Sequence, residues 1–581
     1  MTNVVTGTIG AIPQTRVKTR SSTSVLFEDV VGGRSRIVVR ALLVLWVLDV
    51  VSFWWWWLTP SHQVSAERLG IDSFLLGYVT VVMPLLPVWY LKRSRRIRRD
   101  VAVPSARVAM VVTKAPSEPW SVVLETLEAM RAQQYPLPYD VWLCDEDPTV
   151  EAERWCADNG VRLSTRRGVA DYQRSSWPRR EKCKEGNLAY FYDHWGYKEY
   201  DLVAQLDADH VPAPTYLAEM MRPFTSPAVG YVAAPSICDT NASHSWAARG
   251  RLYKESSLHG PSQAGCNDGF APVCIGSHYA VRTAAIRQIG GIGPELAEDF
   301  TTSFLLNASG WEGAFALDAE AHGEGPPTFA AMLVQEFQWS RSLMTATLDL
   351  LPKKWAALPW RLRMRFAMAL SYYPMLAVTT ILGLALVPIA AVSGQPWMKV
   401  NYLEFIGRWI LLSLPLLAVT LIFRRKQALR PVDTKVLSWE VWLFALTRWP
   451  YVAWGICAAF KAKLRPSQVT FKVTPKGKHG LDRLPVRLVI PYLVVATVAS
   501  GAVLLRSANR SVHGYVLLGL LQAATYLVVT LTVVVLHVRE TRRYTESTWR
   551  QAVPTVAGPS VALVLVGSTF VAAAGSVFHL W

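Results

Sequence analysis

Acidic residues and cysteines are scarce in this chain of 581 residues: 43 Asp and Glu stand against 60 Lys and Arg, leaving a formal net charge of +17, and there are 7 cysteines. Six of these (Cys144, Cys156, Cys183, Cys238, Cys266 and Cys274) fall in one polar stretch without zinc-ligand spacing, and Cys457 sits in a later apolar segment. A zinc centre is therefore excluded, and reduced thiols are expected. No internal repeat, low-complexity tract or nucleic-acid-binding motif occurs. The basic excess is accordingly assigned to membrane topology and anionic lipid, and no nucleic acid is expected as a partner.

Apolar surface is plentiful: 51% of the residues are hydrophobic and 24 are Trp, which places the chain among membrane proteins. Runs of roughly 20 residues, enough to cross about 30 Å of hydrocarbon, lie at 41–58, 71–91, 367–392, 405–423, 488–505, 514–537 and 556–580. Seven spans are expected. The first is not a cleavable signal peptide, because it carries Asp49 and no small-residue cleavage site follows. Lys and Arg gather before residue 41, at 93–100, at 424–430, in 461–487 and in 539–550, and those segments are expected on the cytoplasmic side. The result is a multi-pass protein of the plasma (inner) membrane with its long polar stretch, 101–366, in the cytoplasm. Trp54 to Trp57, at the outer end of the first span, read as an interfacial aromatic belt. Segment 343–366 mixes Leu, Trp and Met with Lys and Arg as interfacial helices do, and 437–460 is interfacial or re-entrant because Arg448 and Pro450 interrupt it.

The expected boundaries are a cytoplasmic tail (1–40), two transmembrane helices (41–91), a cytoplasmic domain ending in interfacial helices (92–366), transmembrane helices with an interfacial helix (367–460), a basic loop (461–486) and three transmembrane helices (487–581). Inside the soluble domain short apolar runs such as RVAMVVT, YDVWLCD and DLVAQLD alternate with helix-like stretches. That alternation implies a Rossmann-like α/β domain with a largely parallel sheet, where ligands collect at the carboxyl ends of strands. Asp145 and Asp207 stand at two such ends.

Asp207 and Asp209 bracket one small residue after a strand, so both carboxylates can face one site and hold Mg²⁺ or Mn²⁺ against phosphate oxygens. Lys184, in KEGN, opens a helix, a place where a cation is disfavoured unless an anion is near; it is equally readable as a solvated lysine. Asp299, in AEDF, also opens a helix and by itself reads as a cap.

In their order along the chain these motifs resemble the processive, membrane-embedded family-2 glycosyltransferases that include cellulose, hyaluronan and chitin synthases. The resemblance implies an α/β domain of GT-A type joined to an α-helical transmembrane bundle. It implies that Asp145 contacts a nucleobase, that Lys184 contacts diphosphate with Glu185 in place of the family's Ala, and that Asp209 is the main metal ligand beside Asp207. It makes Glu298 and Asp299 the second and third letters of T/A-E-D, with Asp299 as general base. Gln335, Gln338 and Trp339 match the family's Q-x-x-R-W: the tryptophan would stack on the acceptor sugar, and Gln338 stands where the family has Arg, leaving Arg341 to substitute. FKVTPKG at 471–477 is similar to the gating loop of bacterial cellulose synthases, which would bring Phe471, Val473, Thr474 and Lys476 over the donor. VCIGSHYAV, from Val273, is similar to an acceptor-side F-C-G-S/T segment with Ile275 inserted. No cyclic-di-GMP receptor signature follows the loop.

The resemblance implies an inverting, UDP-forming synthase that polymerises glucose from UDP-glucose into a β-1,4-type glucan and extrudes it, with the UDP-sugar, the growing polysaccharide and the bilayer as partners and an accessory subunit left open. W-S-R-S at 339–342 sits closer to hyaluronan and chitin synthases, so those products, a β-1,3 or mixed-linkage glucan, and a non-processive lipid-carrier transferase are the alternatives.

Overall fold

The computed structural model describes residues 26–294, 297–465 and 481–577. Its α/β domain is built on a seven-stranded sheet of β1 (Val108–Lys114), β2 (Tyr139–Asp145), β3 (Arg162–Ser164), β4 (Leu202–Asp207), β5 (Val229–Ala233), β6 (His278–Arg282) and β7 (Glu312–Phe315). The strands lie in the order β7-β5-β6-β4-β1-β2-β3, parallel throughout except that β6 runs against both of its neighbours. Every residue of β1 is buried, because the sheet has a core on each face: Val108, Met110 and Val112 pack into one, Ala109 and Val111 into the other. The chain order reverses between β1 and β4, and that is where a doubly wound sheet opens a crevice at its carboxyl edge.

Six described helices are long and apolar enough to cross a membrane: Gly33–Trp57, Ala66–Arg93, Trp360–Ser393, Tyr402–Arg425, Arg510–Tyr544 and Trp549–Val577. The run expected at 488–505 is the shorter apolar helix Ile490–Leu504. Residues 360–366, grouped by composition with the interfacial segment, open the 34-residue helix that ends at Ser393.

The Trp run is not a lipid-facing belt. Trp55 is 83% exposed, but Trp56 and Trp57 are 8% and 3% exposed and pack with Phe53, Met398 and Leu412. Trp54 and Trp57 donate their indole N–H groups to Thr80 Oγ1 at 3.2 Å and Ser73 Oγ at 3.0 Å on the next apolar helix, and the Arg408 guanidinium lies 4.8 Å from the Trp56 ring. Four consecutive helical residues, about 100° apart, occupy the whole circumference. Most of them must meet protein wherever two other helices flank the first.

Five helices surround the sheet edge: α1 (Lys184–Phe191), α2 (Trp246–Glu255), α3 (Glu298–Ala308), α4 (Phe329–Asp349) and α5 (Trp439–Leu464). Helix α5 holds Pro450 in its interior and is not among the six apolar helices above. It packs along α4 at a close approach permitted by Gly455, where a Cβ would collide with Ser340 Oγ and come within 2.5 Å of the Phe337 carbonyl. Arg448, read from the sequence as a break, instead pairs with Glu336 of α4 at 3.2 Å and with the Tyr372 hydroxyl, so the seam holds a buried ion pair as well as a tight backbone contact. Overpacking such a contact costs about 1–3 kcal/mol. Gly455→Ala is therefore expected to lower the thermal midpoint of the detergent-solubilised protein, whereas Gly501→Ala, where a Cβ meets nothing within 4 Å, leaves it unchanged.

Candidate active site

Strand register puts the first two predicted residues at the same edge of the sheet, one residue out of line with each other. Lys114 of β1 aligns with Asp145 of β2, and Thr113 of β1 aligns with Asp207 of β4, so the two aspartates flank β1 at its carboxyl end, about 10 Å apart at the usual strand spacing. Asp145 is wholly buried; Lys114 Nζ lies 3.1 Å from Oδ2, and the Asp147 N–H donates to Oδ1 at 3.0 Å. Lys114 was missed in the sequence reading. A lysine closing an apolar strand beside an aspartate on the neighbouring strand was the available signal.

Lys184 links the rest. From the first turn of α1 its ammonium donates to Asp207 Oδ1 at 2.7 Å and to the Gly276 carbonyl at 2.6 Å. Burial by itself would lower its pKa, but Asp207, then Glu298 and Asp299, outweigh it and raise it. The helix start is held by the departure from the family pattern: Glu185, buried, accepts the Arg179 N–H at 2.8 Å and the Arg180 N–H at 3.2 Å. Gly186 follows because a Cβ there would collide with the Arg180 carbonyl and the buried Arg166 guanidinium. The replacement of Ala by Glu thus fastens a basic loop over the start of α1.

The Gly276–Ser277 turn of VCIGSHYAV connects the two acidic groups. The Ser277 carbonyl accepts the Asp207 N–H at 2.7 Å, and the Gly276 N–H hydrogen-bonds the Asp299 carboxylate. Asp299 Oδ1 also accepts its neighbour's N–H, from Phe300, at 2.7 Å. Burial raises the pKa of Asp299, and its backbone hydrogen bonds oppose the rise; Glu298 is raised by burial and then by Asp299, with Lys184 opposing. Both carboxyls are thereby more basic than ordinary ones.

Asp207, Asp209 and His210 each place one ligand atom within 4.8 Å of the others. The two hard carboxylates are donors that fit Mn²⁺ or Mg²⁺. Asp209 is nearly buried, its Oδ2 accepting the Glu324 N–H at 3.2 Å and its Oδ1 lying 3.1 Å from His210 Nδ1. Burial disfavours the His210 cation, but Asp209 outweighs this and pushes the pKa up to about 10. His210 therefore orients Asp209 by donating to it. Its role was not read from LDADH, although the histidine stands in the motif.

Helix α4 presents Gln335, Gln338, Trp339 and Ser342 at i, i+3, i+4 and i+7, one helical face. Ser342 Oγ accepts the Ala297 N–H at 2.8 Å, which ties that face to the start of α3 beside Glu298 and Asp299. Arg341 follows Gln338 by three residues, about 60° around the helix, and makes no ion pair with another described residue. Phe471, Val473, Thr474 and Lys476 lie outside the described residues.

Residues 202–460 match the family described as Glycosyl transferase family group 2. A cellulose synthase catalytic subunit (UDP-forming) of Xanthomonas axonopodis pv. citri (strain 306) is 26% identical over 293 residues, covering 48% of this chain and 36% of that protein. Its counterpart from Pseudomonas fluorescens (strain SBW25) is 23% identical over 361 residues, covering 57% of this chain and 45% of that protein. The chain thus spans less than half the length of the curated relatives it matches. A mannosyltransferase from Pyrobaculum calidifontis, solved with GDP-Man and Mn²⁺, is 17% identical, with 67% of this chain and 98% of that one covered at a TM-score of 0.45. The segment 202–460 is thus similar to family-2 glycosyltransferases, and the described residues form an α/β domain beside a helical bundle.

Glu185→Ala leaves two backbone N–H groups without their acceptor, a loss of about 1–3 kcal/mol. The expected outcome is a lower thermal midpoint, since the freed loop no longer holds the start of α1.

Proposed function

We propose that the protein is a processive, inverting glycosyltransferase of the plasma (inner) membrane that polymerises glucose from UDP-glucose into a β-1,4-type glucan and passes it across the bilayer, with the α/β domain on the cytoplasmic side. The observation that carries this reading is the run of contacts from Asp299 through Gly276 and Lys184 to Asp207, with the helix of Trp339 bonded to residue 297. It supports a base for an acceptor hydroxyl, a cation for a departing diphosphate and an aromatic face for the acceptor within one crevice. The cellulose synthase relatives support glucose and UDP as the substrate class.

In this mechanism Asp145, with Lys114, closes the nucleobase end of the crevice. Asp299, its carboxylate held by the Gly276 and Phe300 N–H groups, removes the proton from the acceptor hydroxyl, whose oxygen attacks the anomeric carbon as the diphosphate departs. Lys184 neutralises charge that builds on that leaving group. A divalent cation, when bound by Asp207 and Asp209, supplies further charge neutralisation to the diphosphate. Gln338 is one turn from Ser342 and faces the same crevice. Trp339 holds the terminal sugar through its ring face. An extracytoplasmic accessory subunit remains compatible with this scheme. FKVTPKG is assigned to closing over the donor.

Purified protein in lipid nanodiscs, given UDP-glucose, UDP-N-acetylglucosamine, UDP-glucuronate or GDP-mannose with Mg²⁺ or Mn²⁺, is expected to release UDP from UDP-glucose and build a polymer cleaved by a β-1,4-specific glucanase. Chelation by EDTA should stop turnover. A hyaluronan- or chitin-type product would appear as turnover of the amino-sugar donor instead, and a lipid-carrier transferase as a single transfer without polymer. Release of no nucleotide from any of the donors would sink the proposal. Asp299→Asn should lower polymer synthesis by about 10²–10⁴-fold, the usual worth of a general base, while UDP binding by calorimetry stays close to wild type.

A further inference from the structure

Beside Trp339 stands a residue to which none of the motifs points. Arg251, near the middle of α2, places its guanidinium carbon 4.5 Å from the centroid of the Trp339 ring. Its Nε donates to Glu255 Oε2 at 3.0 Å, one helical turn on, and its Nη1 reaches Gln335 Oε1 at 3.5 Å. Glu255 in turn lies 3.4 Å from His259 Nε2. Burial would raise the Glu255 pKa, but Arg251 and His259 outweigh it and hold the carboxyl down at about 2, so it remains an anionic anchor for the guanidinium. Arg251 Nη2 donates to no described residue.

Two consequences follow from that geometry. A guanidinium lying over an indole occupies one ring face, which leaves the opposite face for a ligand. Glu255 and Gln335 hold the guanidinium in place, so the indole cannot turn away without losing its cation–π partner.

We infer that Arg251 is an acceptor-positioning residue: its guanidinium clamps Trp339 from behind and so holds the free ring face toward the terminal sugar. This rests on the reading of Trp339 as the acceptor platform. It also makes α2 the source of the cation beside the tryptophan.

The test uses the full chain in nanodiscs and two separate titrations, one with soluble β-linked gluco-oligosaccharides and one with UDP plus Mn²⁺, on wild type, Arg251→Met and Arg251→Lys. The expected result for Arg251→Met is a tenfold or greater loss of oligosaccharide affinity with UDP affinity within twofold. Arg251→Lys, which keeps the charge but not the planar stack, should lose several-fold and fold where the methionine variant fails. In turnover assays the acceptor KM should rise with the donor KM unmoved, a split that general loosening of α2 would not give. Oligosaccharide affinity unchanged in Arg251→Lys, or a parallel loss of UDP affinity, overturns the inference. Wild type that binds UDP and none of the oligosaccharides overturns it together with the acceptor role of Trp339, whereas wild type that binds neither removes the transferase reading itself.

Discussion

The Lys184 ammonium, held between the Asp207 carboxylate and the Gly276 carbonyl, is the contact on which the crevice depends. It sits at the start of a helix, where the backbone dipole opposes a cation. Only the convergence of Asp207, Glu298 and Asp299 makes that position favourable. The dependence runs both ways, since three carboxyls at one sheet edge would repel one another without a counter-charge. Strand β4, helix α1, the 276–277 turn and helix α3 thus meet at one nitrogen. None of the four can shift alone without leaving a buried charge unpaired.

The same burial separates the two adjacent acids of AEDF. Desolvation raises both, but Asp299 accepts backbone N–H groups from Phe300 and Gly276, whereas Glu298 is raised further by Asp299 itself. Hydrogen bonds to a carboxylate favour its charged form. The backbone N–H groups therefore favour the charged form of Asp299, while its neighbour's charge disfavours that of Glu298. Two acids with divergent surroundings can divide holding and accepting a proton between them.

What could be read in the sequence follows from how local each signal is. The β/α alternation is legible because β1, β2 and β4 are apolar on both faces and each ends in a charged residue. Asp145, Lys184, Asp207 and Asp299 are legible because strand ends and helix starts are local events. Other features depend on packing between distant segments. Arg448 reaches Glu336 across 112 positions, and Arg251 reaches Gln335 across 84. Composition could show Arg448 only as an interruption of an apolar run, and it gave Arg251 no role. The Trp run was misread for the same reason: Thr80 and Ser73, which receive the Trp54 and Trp57 indole N–H groups, lie on another helix.

The two sides of the crevice are held by different parts of the molecule. Asp145, Asp207 and Lys184 stand on the sheet and the helix packed against it, so the proposed donor side inherits the rigidity of a doubly buried β layer. The proposed acceptor side belongs to α2 and α4, and each is fastened from outside the α/β domain. Glu540, on the helix His513–Tyr544, accepts the Trp246 N–H at 2.6 Å and so anchors the first turn of α2; Arg448 and Gly455 of α5 fix α4. Ser342 and Ala297 are a direct bond between the two sides. Transfer rates fall steeply when reacting atoms drift by an ångström. In the proposed mechanism a crevice divided in this way couples the distance between acceptor and base to the seating of the apolar helices, and a displacement there reaches the reaction through α2 and α4 before it reaches the nucleotide side.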